Sequence, residues 1–554
     1  MPSIHRFSRL LPVAALLLFA LEARAQSFRV QCPAGTTLHP ADTSKDPAVT
    51  TAANRAKYSS ITKLTRTDGL LDPTPAMANP GIKCQQLSGG DGFATMGDGT
   101  QTYLFSFGPL SGLSNIVKGL PGTVPASEFL QNNLASDGTV LPAVKIGAPD
   151  GLAYDFNGAI GLVPNVEATL GNGTSTAVVD GHLDARLVMD VGVMNGNIPA
   201  PMIAIDEGDE LFLTLTNVGM VMRPDLFESH TVHFHGYPNA SAFYDGVPDA
   251  SVAINIGGSF TYYYLAPEAG TYMWHCHISP PEHLQMGMVG QLYVRPRQNT
   301  VTAGLGLYAA AQAAQLDVST KCSSDDLLCS VQRPATSNST LASAGKMYAY
   351  NDGDGSTLYD VEYPIQMHGF DPNFHFVGMT FNPESFADNK DKYFLLNGRS
   401  YPDTVNPDPL STQVTDGTNH FSQPLSSIVN IPAGGRALLR FSDLNVTEYH
   451  TLASLGIRMH VVGYNARLLR DQDGNNMDYY TNSVTLAGGE SADVLLDASG
   501  TNPDGTPLYP GGSVFYLYTP QLDHLANDAE NFGGMMTEVR ICASTVNAAT
   551  KQCN

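Results

Sequence analysis

Short blocks in which apolar residues alternate with polar ones, or run together, recur along most of this chain, separated by Gly, Asn and Pro turns. Arg186–Val191, Met202–Ile205, Glu210–Thr216, Phe260–Leu265, Gly270–Trp274 and Val289–Val294 are of this kind. Side chains two apart share one face of an extended strand, so alternation reads as a half-buried strand and a continuous apolar run as a fully buried one. Short strands at this spacing predict a Greek-key sandwich or barrel over 168–298. A second series predicts another sandwich over 346–546; its clearest members are Lys392–Leu396, Ser427–Asn430, Arg436–Phe441, Met459–Val462 and Val514–Tyr518. Between them, 299–345 is polar and rich in Ala and Ser, and reads as a linker with some helix around Tyr308–Leu316, while 547–554 is a tail. Residues 26–167 are rich in Gly, Ser, Thr and Pro, with isolated strand-like pieces such as Thr102–Phe107. They are expected to form a β-containing N-terminal extension. The fold class expected is all-β, two β-sandwich domains plus that extension.

Residues 1–25 follow a different pattern. Arg6 and Arg9 precede the apolar run Leu10–Leu21, and Ala23-Arg24-Ala25 supplies a small-residue cleavage site before Gln26. This is the layout of a secretory signal. The run is short for a transmembrane span and no later one replaces it, so the expected product is periplasmic or secreted, without a membrane span. Seven cysteines fit an oxidising compartment and leave one thiol for other work. Cys276, between two histidines in a strand-like run, is the odd one. Cys322 with Cys329 and Cys542 with Cys553 are close in sequence, which leaves Cys32 with Cys84; this is one of several pairings that six thiols allow. Charge removes one class of partner: 52 Asp and Glu against 29 Lys and Arg give a formal charge of −23. Neither nucleic acid nor an anionic membrane is expected, since both need a basic face.

Candidate chemistry is concentrated in one stretch. Of 15 histidines, six (His230, His233, His235, His275, His277 and His283) lie within 230–283. A lone imidazole is more often a core or surface side chain than a ligand, but six around a single thiol are not explained that way. In Trp274-His275-Cys276-His277, strand geometry puts both imidazoles on one face and the thiol on the other; His233-Phe234-His235 offers a second pair on one side. The two pairs can converge outside the sandwich, while His230, His283 and the Met288 thioether meet Cys276 inside it. Two His, one Cys and a weak axial Met are the ligands of a blue-copper electron-transfer site. Zinc is the competing metal and gains nothing from a thioether. Met286 is the rival axial residue and reads as packing. Because Cys276 is joined through the backbone to His275 and His277, an electron at the sulfur has a covalent route to whatever metal those rings hold.

His230–Gly236, Tyr244–Pro248, Gly270–His277 and His283 through Gly287-Met288 resemble the multicopper oxidase family. Pro201–Asn217 is similar to that family's domain-opening strand pair, and Phe394–Arg399 and Val461–Arg470 to its later cupredoxin domain. The resemblance is strong over 183–296 and weak over 347–542. It implies that both sandwiches are cupredoxin-like and that copper is the cofactor, as a type 1 ion plus a type 2 or trinuclear centre. By this resemblance His230, Cys276, His283 and Met288 hold the type 1 copper, and His233, His235, His275 and His277 supply half of a centre that reduces dioxygen. The reductant implied is a phenol, an amine or a low-valent metal ion. Two features depart from the family. The Cys-to-His loop, stiffened by Pro280-Pro281, is longer and leans toward the copper nitrite reductases. The second sandwich has no His-x-His pair; His368, His375, His420, His450, His460 and His524 are isolated. Met459–Gly463 is similar to the segment by which nitrite reductases bring a catalytic His from a neighbouring subunit, and Tyr518–His524 lies where they place another copper ligand. His460 and His524 are therefore candidates for the second centre, at an interface in a homotrimer. Asp245, Glu282 and Asp523 are candidates to supply protons to reduced oxygen. The rival readings are a nitrite-reductase-like two-copper enzyme and a non-enzymatic copper-handling or electron-transfer protein.

Overall fold

The computed structural model describes residues 32–42, 77–116, 118–131, 196–220, 222–236, 241–266, 268–300, 346–380, 386–413 and 419–554. The expectations for the signal segment, for Arg186–Val191, for the helix around Tyr308–Leu316 and for Cys322 and Cys329 lie outside these residues.

The first sandwich is built from β1 (Ile82–Thr95), β2 (Gln101–Pro109), β3 (Val124–Pro125), β4 (Ile203–Asp206), β5 (Glu210–Gly219), β6 (His233–Phe234), β7 (Ser259–Leu265), β8 (Gly270–His275) and β9 (Val289–Arg295). One sheet runs β2-β1-β5-β7 with β3 beside β1, and the other runs β4-β9-β8-β6. Alternation decides what faces inward. Leu211, Leu213 and Leu215 of β5 and Tyr262 and Tyr264 of β7 are fully buried, and they share a core with Phe105, Phe107, Trp274, Cys276 and Met288. Burying each such side chain stabilises by roughly 1.5–3 kcal/mol, and the thiol sits within this core.

One domain expectation is corrected. Residues 82–109, expected within a separate N-terminal extension, are two strands of the first sandwich, with β1 parallel to β5 from Ile82↔Glu210 to Gly90↔Gly219. The first domain therefore does not begin at 168. β1 is buried on both faces yet carries Gln85, Gln86, Ser88, Gly89, Gly90 and Asp91 where a core strand is normally apolar, so its pattern gives no hydrophobic period. Its polar side chains are accommodated by partners such as Thr216 Oγ1, 3.2 Å from Gln86 Nε2. The disulfides Cys32–Cys84 and Cys542–Cys553 are present, and Cys276 is free and buried.

The second sandwich pairs a large sheet containing Val361–Phe370, Arg436–Asp443, Met459–Tyr464 and Glu490–Asp497 with a five-stranded sheet containing His450–Leu455, Val514–Tyr518 and Met536–Ile541. Buried charge joins the two domains. Glu362 receives both Arg295 of β9 (2.6 Å) and Arg440 (3.1 Å). Thr271 of β8 donates to Asp493 (2.6 Å), and Ser491 donates to the Thr271 carbonyl (2.6 Å). These contacts fix the start of β8 against the loop that carries Gly489. Among the described residues no helix is long and apolar enough to cross a membrane.

Candidate metal centres

β8 ends at His275, and the next residue, Cys276, is buried in the core. The Cys276 N–H donates to the Met288 carbonyl (3.2 Å) and the Met288 N–H to the His283 carbonyl (2.8 Å), so the intervening loop closes on itself. Ser279, in the left-handed region at φ 39°, and Pro280-Pro281 start the short helix Pro280–Gln285, which carries His283 back over the sulfur. Sγ lies 3.2 Å from His283 Nδ1 and 4.0 Å from His230 Nδ1, and all three residues are fully buried. The Thr231 N–H points at Sγ from 3.4 Å. A Cβ on Gly89 would come within 2.6 Å of the His230 ring, so β1 needs glycine there to admit the imidazole. Met288 is buried in the same core. Met286 is buried in that core as well, where its methyl would meet a Cβ on Gly378 at 3.3 Å.

The electrostatics suit a cation. Burial by itself would raise the Cys276 thiol, but the His283 and His230 imidazoles outweigh it and hold the thiol well below its usual range. Against the effect of burial, the same sulfur and Glu228 push His283 up to about 9; Glu228 Oε2 is 3.5 Å from His283 Nε2. A soft thiolate with two imidazoles, closed off from water, fits a copper ion.

On the other face, four imidazoles converge. The His233 ring lies 5.3, 5.4 and 4.9 Å from those of His235, His275 and His277. Three of the rings are oriented by an oxygen. His233 Nδ1 donates to the Asp245 carbonyl (2.7 Å), with the Asp245 carboxylate 3.4 Å away, and His275 Nδ1 donates to the Cys276 carbonyl (2.7 Å). The Gly489 carbonyl of the second domain accepts from the His235 ring, whose Nδ1 side faces that glycine. With these tautomers, His235 Nε2 and His275 Nε2 face one another as lone pairs 2.9 Å apart, an arrangement that calls for a cation between or beside them. Burial, aided by the neighbouring rings, lowers both groups, His275 to about 3, so they stay neutral and available as ligands. A cleft of about 400 Å³ opens beside His233 and His235, walled by Tyr272, Asn465, Gly489 and Ser491.

Other predicted residues are placed elsewhere. Glu282 belongs to the thiolate end, where burial raises its carboxyl beside His283 and Glu228, and not to the four-imidazole face where protons for oxygen would be needed. His460 is 3.0 Å from Asp478 and stacks on Tyr480 (4.3 Å), away from the other histidine groups of the chain. His524 is buried in its own domain with His450 and Glu448. Within this chain neither His460 nor His524 is grouped with the four rings, and the expectation that they complete the second centre concerns an interface between subunits. Sequence reasoning missed Gly489, Glu228 and the pairing of Glu448 with the second-domain histidines; the shared spacing of Glu228-x-His230 and Glu448-x-His450 offered a signal for the two carboxylates.

Comparisons with known proteins bear on the same stretch. Residues 178–299 match the family model described as Multicopper oxidase. Multicopper oxidase MCE of Talaromyces pinophilus is 35% identical over 112 residues, covering 20% of this chain and 17% of that protein. Laccase abr2 of Aspergillus fumigatus is 35% identical over 108 residues, covering 19% and 17%. The match thus spans about a sixth of the length of these relatives. Among solved structures, the blue copper oxidase of Nitrosomonas europaea aligns with 63% of this chain and 78% of its own, at 19% identity and a TM-score of 0.41. Over residues 178–299, this chain is similar to the multicopper oxidase family.

Proposed function

We propose that this chain is an exported copper-dependent oxidoreductase that takes single electrons from a small reductant at the thiolate centre and reduces dioxygen at the four-imidazole centre. The observation that carries this reading is the geometry of one segment: Cys276 meets His230 and His283 on one side, while His275 meets His233 and His235 on the other. His230, Cys276, His283 and Met288 would hold a mononuclear copper, and His233, His235, His275 and His277 the copper of the second centre. Bound there, copper supplies reversible one-electron chemistry.

The protein's own contributions follow from its hydrogen bonds. His283 and His230 keep Cys276 in the thiolate form that a metal needs. Carbonyls of Asp245, Cys276 and Gly489 fix three ring tautomers, which leaves the opposite nitrogens free as ligands. Cys276 links the two centres through its own backbone to His275 and His277, a covalent path across the width of one strand. The Asp245 carboxylate, beside His233, is placed to hold a proton for a reaction that consumes protons. The reductant is a phenol, an amine or a low-valent metal ion.

Copper-loaded protein should show intense thiolate-to-copper absorption and take up oxygen with a phenol or reduced metal ion as donor. Cys276→Ser should abolish both. The double variant His233→Ala/His235→Ala should keep the absorption and lose oxygen uptake. A colourless copper-loaded protein refutes the thiolate centre, and nitrite turnover without oxygen uptake replaces the acceptor.

A further inference from the structure

The loop that builds the thiolate centre occurs twice in this chain. In the first domain Cys276 directly follows β8; its N–H donates to the Met288 carbonyl (3.2 Å), and the Met288 N–H donates to the His283 carbonyl (2.8 Å). In the second domain Thr519 directly follows the strand Val514–Tyr518. Its N–H donates to the Met535 carbonyl (2.9 Å), and the Met535 N–H donates to the His524 carbonyl (3.1 Å). Thr519 therefore stands where Cys276 stands, His524 where His283 stands, and Met535 where Met288 stands. Both methionines are fully buried. The remaining ligand is matched as well. His230 lies beyond the end of β5, its ring 5.3 Å from that of His283; His450 lies beyond the end of the strand Arg436–Asp443, its ring 5.6 Å from that of His524.

Threonine replaces the thiol, while the carboxylate is common to both: Glu448, two residues before His450, lies 3.0 Å from His524 Nε2, as Glu228, two before His230, lies 3.5 Å from His283 Nε2. Glu448, His450 and His524 each offer one ligand atom, all within 4.8 Å of one another. His450 and His524 are 0% and 2% exposed, and His524 Nδ1 is buried without a hydrogen-bond partner. Two supports hold the rings in place: Asp443 Oδ2 lies 3.4 Å from His450 Nδ1, and Phe394 stacks on His524 at 3.8 Å. A carboxylate behind a histidine ring is the usual orienting partner of a metal ligand. Asn445 Nδ2, 3.2 Å from His450 Nε2, faces the same space.

We infer that Glu448, His450 and His524 form a further mononuclear site for a borderline divalent cation, copper(II) or zinc(II), on the repeated scaffold of the thiolate centre. Two imidazoles and a carboxylate are a donor set that both ions accept, and without a thiolate the site lacks the intense thiolate-to-copper absorption with either. Its effect is structural: the ion ties the loop 519–535 to the strand His450–Leu455, and a ligand bound only by the folded chain stabilises it.

The test strips the full-length protein with a chelator, reloads it with zinc alone or copper alone, and measures bound metal per chain in the wild type and in Glu448→Gln, His524→Gln and Cys276→Ser. Glu448→Gln is the decisive variant because its carboxylate is 39% exposed and the amide is close to isosteric, so the fold is kept. Both Glu448→Gln and His524→Gln should hold one ion fewer than the wild type with either metal. In the copper-loaded form each should lose a non-blue copper(II) resonance and keep the thiolate-to-copper absorption. Cys276→Ser should do the reverse, losing the absorption and keeping that resonance. Equal metal content in Glu448→Gln and the wild type overturns the inference and leaves the reading of the thiolate centre untouched.

Discussion

Glu362→Gln tests what holds the two domains together. Glu362 accepts from Arg295 Nε at 2.9 Å and Nη2 at 2.6 Å, from Arg440 Nε at 3.1 Å and from the Tyr359 hydroxyl at 3.1 Å. Arg440 is fully buried and also lies over the Tyr293 ring at 4.6 Å. Burial would raise the Glu362 carboxyl, but Arg295 and Arg440 overcome it and hold the group at about 2 in place of its ordinary 4.5. That difference corresponds to about 3 kcal/mol of stability at neutral pH, in line with the roughly 3–5 kcal/mol lost when one partner of a buried ion pair is removed. Because the folded value lies below the unfolded one, the contribution is complete above pH 4.5 and is lost as pH falls from there toward 2. The assay is urea unfolding of wild type and Glu362→Gln at a series of pH values, followed by the fluorescence of Trp274, the single tryptophan, buried in the first domain beside Phe107. The stability gap should be about 3 kcal/mol at neutral pH and shrink steadily in acid; taking the difference between the two proteins cancels the other carboxylates. A gap under about 1 kcal/mol at neutral pH, or one that widens in acid, refutes the reasoning.

Three further outcomes follow from particular contacts. Gly489→Ala places a Cβ 3.2 Å from His235 Nδ1 at a residue with φ +100°, so oxygen uptake should fall by about tenfold or more while thiolate-to-copper absorption is unchanged; loss of both together would mean the domain has unfolded around it. Removing the Cys32–Cys84 bridge, which closes a separation of 52 residues, should cost about 4 kcal/mol in denaturant unfolding, and a cost near zero would show that the N-terminal segment is held by packing alone. Thr519→Cys should give the second domain a thiolate beside His450 and His524 and add a second thiolate-to-copper absorption per chain; copper bound without that absorption would break the equivalence of the two loops.

What the sequence determines by itself is local. Alternation along a strand puts His275 and His277 on one face and Cys276 on the other, because successive side chains of extended backbone point in opposite directions. That geometry needs no distant partner, which is why the two faces of the centre were legible from Trp274 to His277. Strands β5, β7, β8 and β9 were legible for the same reason, the positions that face the first sandwich's core being apolar. The tertiary structure alone decided the rest. β1 belongs to the first sandwich through its parallel pairing with β5, more than a hundred residues away, and its buried Gln, Gly and Asp residues carry no periodic trace of that pairing. His460 and His524 look alike as isolated histidines, yet one stacks on an exposed tyrosine and the other is buried against Glu448. Glu282 lies close in sequence to both centres and is packed against only one of them. Gly489 reaches His235 because the buried charges around Arg440 bring two domains together. Convergence of this kind depends on sheet register and domain contact, which join positions remote along the chain, whereas a periodic pattern records only which side of its own strand each residue occupies.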